Sequence, residues 1–142
     1  MSEVDLPDVN VLVALLNPAH VHHDAAREWF TTTSRFATTP LTESGLVRMA
    51  MNPIVMGQAH GAAAALEVLR SLRADERAEF LPDDSSLATA MIDLVCLVGF
   101  RQVTDLHLVN LAAYHNARLI TFDRKVRAVL ASDDQGLICK LG

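Results

Sequence analysis

Apolar positions recur along this chain at two spacings. Short β-branched or aliphatic runs closed by Pro, Asp or Gly read as strands, and runs with apolar residues three and four apart read as amphipathic helices. "VDLP" predicts a first strand that ends near Asp8, because Pro7 lacks a ladder donor and is poorly tolerated inside a central strand. "VNVLVALL" fits either a strand or a buried helix. From Asp24, "DAAREWF" predicts a helix with Ala25, Ala26, Trp29 and Phe30 inward. "FATTP" predicts a strand stopped by Pro40. "TESGLVRMAM" follows as a short helix with Leu46, Val47 and Ala50 on one face, ended at "NP".

The second half repeats the rhythm. "GQAHGAAAALEVLRSLRADE" predicts a longer helix with its arginines outward, and "AEFLPDD" a short strand. Ser85 or Ser86 caps a helix running to Gly99. Thr104 caps the next helix, with Leu108, Leu111, Ala112 and His115 on one side. "LITF" and "GLICKL" supply two more strands. Strands alternating with helices imply a mainly parallel sheet covered on both faces, an α/β three-layer α/β/α sandwich. No linker, repeat or charge block divides the chain, so residues 1–142 form one domain.

Composition narrows this picture. Hydrophobic residues make up 51% of the chain, enough for a core without staples. Cys96 and Cys139 lie in apolar runs and read as small buried hydrophobes in a reducing compartment. "MSEVDLPD" has no charged-then-apolar signal pattern, and the apolar run "LATAMIDLVCLVGF" is too short and too polar to span a bilayer. A soluble cytoplasmic protein is expected. The net charge of −5 argues against binding nucleic acid through the whole surface; "RKVR" (Arg124 to Arg127) can hold phosphates locally, although so short a run is more often a solvated face.

In an open parallel sheet, ligands bind outside the carboxyl ends of the strands. Four acids fall at such places. Asp8 follows "VDLP", Glu43 opens the helix after "FATTP", Asp105 opens a helix, and Asp123 follows "LITF". Helix-start acids are favoured by the macrodipole alone, which accounts for Glu43 and Asp105 individually. Four carboxylates in one crevice would repel each other unless a cation neutralises them, and oxygen-only ligation suits Mg²⁺ or Mn²⁺. Thr42, Thr104, Thr121 and Asn10 can add neutral oxygens. Asp93 reads as a helix-face or capping residue, Asp83 and Asp84 as a weaker fifth candidate in a loop, and Asp133 and Asp134 as solvated.

Taken in order, "LPDVNVLVALLN", "LTESGLVRMAMNP" and "VTDLHLVNLAAYHNARLITFDR" resemble the PIN-domain ribonucleases, and among them the VapC toxins of bacterial toxin–antitoxin pairs. "HVHHDAAREWF" is similar to that branch too, and the resemblance runs from Asp8 to the terminal "GLICKLG". It implies a PIN-like parallel sheet and a divalent metal, Mg²⁺ or Mn²⁺, at its rim. Carried over by motif, Asp8, Glu43, Asp105 and Asp123 form the acidic quartet, with Asp8, Asp105 and Asp123 on the metal. Asn10 and Thr104 match assisting positions, and Arg48 matches a basic residue that orients a carboxylate or meets RNA. The resemblance further implies RNA hydrolysis leaving a 5′-phosphate and a 3′-hydroxyl, inhibition of growth, a VapB-type antitoxin that fills an apolar groove, and a homodimer. Gly45 departs mildly from the pattern, since glycine within a helix costs up to about 1 kcal/mol relative to alanine.

Three other readings stand beside this one. "HVHHD" suggests a histidine-based metal phosphohydrolase, but His60, His107 and His115 supply no matching pattern. A receiver-like signalling domain would want a lysine late in the chain after a suitable strand, and neither Lys125 nor Lys140 fits. A catalytically silent protein-binding domain would tolerate Asp8→Asn or Asp105→Asn.

Overall fold

A computed structural model describes residues 3–58 and 60–142, apart from the side chain of Cys96, so the expectation for that thiol lies outside the described residues. Five parallel strands, β1 (Val4–Pro7), β2 (Phe36–Thr38), β3 (Ala78–Phe80), β4 (Ala117–Thr121) and β5 (Ile138–Lys140), form one sheet in the order β3-β2-β1-β4-β5. Successive strands step outward from β1 to β2 and β3, then resume on its other side with β4 and β5. The direction of winding therefore reverses between β1 and β4. Pro7 ends the central strand as its pattern predicts, and the next amide, Asp8 N–H, donates to Ile120 O at 3.0 Å.

Side chains of neighbouring strand residues point to opposite faces, and this divides the core in two. Leu6 and Leu119 pack with Leu106, Val109 and Val126 from α6 (Val103–Tyr114) and α7 (Arg124–Val129). Phe36 and Ile120 pack on the other face with α1 (Val9–Leu16), α2 (His23–Thr32), α3 (Pro40–Ala50) and α5 (Ala62–Ala74), through Leu12, Trp29, Leu46 and Leu72. The three-layer α/β/α sandwich is thus present. "VNVLVALL" resolves as the helix α1, because Asp8 satisfies a free amide at its start. Ala26 and Trp29 are the buried residues of α2, while Ala25 and Phe30 are half-buried. A short helix, α4 (Pro53–Met56), follows α3, and α5 begins at Ala62 rather than at Gly57.

Two expectations are corrected. Residues 85–99 do not form a continuous helix but isolated 3₁₀ turns, Leu87–Thr89 and Leu94–Cys96, with a third at Phe100–Gln102. Their amides are drawn elsewhere: Met91 N–H donates to Asn110 Oδ1 on α6 (2.8 Å), and Asp93 N–H to Asp134 Oδ2 (2.9 Å). Ser86 and Asp93 cap these turns instead of a helix. Thr104 is not a cap either. Helix α6 begins at Val103 after Gln102, which puts Thr104 inside its first turn. Among the described residues, no helix is long and apolar enough to cross a membrane.

Gly45 is explained by packing. A Cβ built there would stand 2.6 Å from Val9 Cγ2, so α1 and α3 approach more closely than alanine permits. Gly45→Ala is expected to lower stability in urea unfolding by about 1–2 kcal/mol, the overpacking cost exceeding the gain in helix propensity. An alanine variant as stable as the parent would show that Val9 simply turns aside.

Candidate active site

The reversal between β1 and β4 is where an open parallel sheet offers a crevice, and both flanking strands end there in an acid. Asp8 follows β1 and caps α1. Its Oδ1 accepts from Val11 N–H at 2.9 Å and its Oδ2 from the Thr121 hydroxyl at 2.7 Å. Asp123 follows β4 and caps α7, accepting from Lys125 N–H at 2.8 Å. Its own amide donates to Thr121 Oγ1 at 3.0 Å, so one hydroxyl at the end of β4 joins the two acids.

Asp105 arrives from the first turn of α6 and is half-buried. Its carboxyl is pushed up by burial and by the nearby charge of Asp123. Asp8 is 8% exposed, and burial pushes its carboxyl up to about 6, with Asp105 adding to the rise and the Thr121 and Val11 hydrogen bonds opposing it. Charge on Asp8 is thus resisted by burial and by Asp105, and charge on Asp105 by burial and by Asp123. A cavity of about 280 Å³ opens beside them, lined by Arg101, Asp105, Leu106, Asp123, Lys125 and Val126 among others.

Glu43 stands one strand over, in the first turn of α3 beyond β2. Its Oε2 accepts from the buried Thr38 hydroxyl at 2.6 Å and lies 3.6 Å from Arg73 Nε on α5. It shares the rim but is held to its own strand and to Arg73. Asn10 is exposed on α1, two residues after Asp8, where its main-chain amide helps hold the Asp8 carboxyl down. Thr104 is exposed beside Asp105. Arg48 does not meet the acids among the described residues; it is exposed five positions beyond Glu43, a turn and a half along α3 and off its face. Arg73, not Arg48, is the cation that reaches Glu43. No motif in the sequence marked Arg73, because α5 is aligned to the rim only by folding.

Other polar residues sort away from the crevice. Thr42 closes the start of α3, exchanging bonds with the Thr39 main chain. Asp83 and Asp84 bind histidines of the α6 segment, His107 Nε2 at 2.7 Å and His115 Nε2 at 2.6 Å. In "HVHHD", His20 Nδ1 accepts from His22 N–H, His23 Nδ1 meets Ala14 O at 2.8 Å, and His22 stacks on Phe122. Cys139 is a free, half-buried thiol on β5. One buried acid escaped the sequence pattern altogether. Asp5, 4% exposed on β1, accepts from Trp29 Nε1, Thr33 Oγ1 and Arg118 Nε, each at 2.8 Å.

Among the described residues, no three His, Cys, Asp or Glu side chains already enclose a metal position. The donor chemistry at the crevice nevertheless fits a hard divalent cation. The candidate ligands are all oxygen, and the cost of ionising Asp8 and Asp105, chiefly from burial and then from a neighbouring acid, is one that a bound cation would offset.

Comparison with known proteins shows the family. The PIN domain pattern matches residues 6–130, a span containing all four acids. The chain is 50% identical to Ribonuclease VapC38 of Mycobacterium tuberculosis (strain ATCC 25618 / H37Rv) over 123 residues, covering 85% of this chain and 86% of that protein. It is 42% identical to Ribonuclease VapC39 of Mycobacterium tuberculosis (strain CDC 1551 / Oshkosh) over 136 residues, covering 94% and 96% respectively. With Ribonuclease VapC29 of the same strain, the identity is 43% over 119 residues, covering 83% and 84%.

Proposed function

Because this chain belongs to the PIN domain family, we propose that it is a Mg²⁺- or Mn²⁺-dependent endoribonuclease acting as the toxin of a cytoplasmic toxin–antitoxin pair. The supporting observation is the meeting of Asp8, Asp105 and Asp123 at the β1–β4 crevice, where burial first and a neighbouring carboxylate second push the Asp8 and Asp105 carboxyls up. Those three carboxylates would hold the cation, which when bound polarises a phosphodiester and eases ionisation of water. Thr121 and the α1 amides fix Asp8 in place for this duty. Glu43, or Asp123 from the other side, orients the attacking water and takes its proton. In-line displacement at phosphorus leaves a 5′-phosphate and a 3′-hydroxyl. Asn10 and Thr104 offer neutral polar groups to the same rim. Cleavage of RNA arrests translation and growth, and the partners are a VapB-type antitoxin and a second copy of the chain.

Purified protein should cut RNA at an exposed single-stranded loop with Mg²⁺ or Mn²⁺ and not in EDTA. Expression in a bacterial host should arrest growth, and Asp8→Ala should relieve the arrest. Equal arrest by the parent and by Asp8→Ala would overturn the catalytic assignment. Glu43 gives a finer test. Glu43→Gln keeps the Thr38 contact but cannot take a proton, so kcat should fall on the order of 10²-fold. Arg73→Ala should change kcat far less. An unchanged rate in Glu43→Gln would transfer the proton-accepting role to Asp123.

A further inference from the structure

The chain is acidic, yet among the described residues most cations without a carboxylate side-chain partner are gathered in one place. Of its twelve Lys and Arg residues, Arg35, Arg70, Arg73, Arg77 and Arg118 form salt bridges with carboxylates. Among the described residues, the others have no carboxylate side chain within salt-bridge distance. Arg27 and Arg48 lie apart on α2 and α3. The remaining five all border α7. Arg101 and Lys125 line the cavity that holds Asp105 and Asp123. Arg124, Arg127 and Lys140 line a second hollow of about 170 Å³ on the opposite side of the same helix, with Ala128 and Gln135.

We propose that this second hollow is a phosphate subsite, which holds the backbone of single-stranded RNA next to the bond being cut. This rests on the nuclease reading above. A net charge of −5 and a cluster of carboxylates both repel a polyanion, so affinity must come from local cations. Arg124 and Arg127 are three apart on one helix face, where their guanidinium groups act together. Both are exposed, as is Lys140. Among the described residues, Arg127 Nε reaches only Gln135 O, at 3.5 Å, and Lys140 Nζ only an oxygen of Gly142, at 3.0 Å. Their position is specific too: α7 starts directly after Asp123, so a strand crossing its first turn passes from these cations to the acids.

The test uses the full chain. Binding of a labelled single-stranded RNA oligonucleotide is measured in EDTA against salt, and cleavage kinetics with Mg²⁺. Arg124→Ala with Arg127→Ala should reduce the slope of log Kd against log salt by about 1.4, two contacts at about 0.7 each. KM should rise with kcat unchanged, as expected when binding common to ground and transition states is lost. Arg27→Ala with Arg70→Ala makes the same change in net charge and should leave slope and KM alone. Should the first pair fail to fold, Arg127→Gln with Lys140→Gln reads the same hollow. If the parent cleaves RNA but the Arg124/Arg127 variant matches it in slope and KM, the subsite is overturned and the nuclease survives. If that variant instead loses only salt-sensitive binding of a polyglutamate peptide, the hollow belongs to an acidic polypeptide, and the RNA subsite is again overturned. A parent that neither binds nor cuts RNA overturns the nuclease reading itself.

Discussion

Asp8→Asn will abolish RNA cleavage while making the metal-free protein more stable. The loss of activity should be at least about 10²-fold, the scale of a displaced metal shell or a lost proton-transfer carboxylate. The gain in stability follows from linkage. The Asp8 carboxyl titrates near 3.8 when unfolded and at about 6 in the native crevice, chiefly because it is buried. Between those values the folded chain holds a proton that the unfolded chain has released. Stability from this group is complete below about pH 4 and is lost as pH rises through 6, by up to roughly 3 kcal/mol. Asparagine never ionises and escapes that loss. It cannot accept both bonds that the carboxylate receives from Val11 and Thr121, which returns about 1 kcal/mol. The variant should therefore be more stable by about 1–2 kcal/mol at pH 7.5 in EDTA, with the advantage shrinking toward pH 4. Urea unfolding of both proteins across this range measures it. A constant difference with pH would mean that Asp8 does not carry the proton.

Asp5→Ala should have the opposite profile, with large damage to the fold and little to the chemistry. It removes the acceptor of the Trp29 indole and the Thr33 hydroxyl, and the partner of Arg118, from a site 4% exposed. Stranding a buried charge partner costs about 3–5 kcal/mol, and the lower end applies because the Arg118 side chain is 40% exposed and can turn to water. The melting temperature should drop by roughly 10 °C for a domain of this size. Cleavage at low temperature should survive. A drop of only a degree or two would show that Trp29 and Thr33 find other partners. Paired with Asp8→Asn, this variant separates an acid that holds the fold from one that strains it.

The pattern of apolar residues carried the architecture because strands end at local breakers, Pro7 closing β1 and Pro40 following β2, and "NP" follows α3; α1 fitted strand or helix equally, and α6 starts at Val103 rather than after a Thr104 cap. The pattern failed at residues 85–99, where Ile92 is buried and Val95 and Val98 are exposed with no helical stripe to sort them. There the backbone bonds go to Asn110 and Asp134, partners distant in sequence. The same division runs through the crevice. Asp8 and Asp123 were legible because strand ends and helix starts announce themselves locally, and parallel topology brings such places together. Arg73, the Thr38 hydroxyl and the Asp5 cluster were not, since each depends on which helix lands over which strand. Gly45 was misread for that reason: it looked like a weakness of α3 and is the clearance that lets Val9 pass.

The Thr121 hydroxyl has one proton and gives it to Asp8, so it can only receive from the Asp123 amide. That fixes a direction: the chain of bonds runs from the first turn of α7 toward the end of β1 and terminates on a negative charge. Whatever cancels that charge, a proton or a cation, weakens the last bond and slackens the one before it. The entrance to α7 is thus tethered to the ionic state of a residue on another strand, and exchange of the Asp123 amide with solvent is where that slack becomes visible.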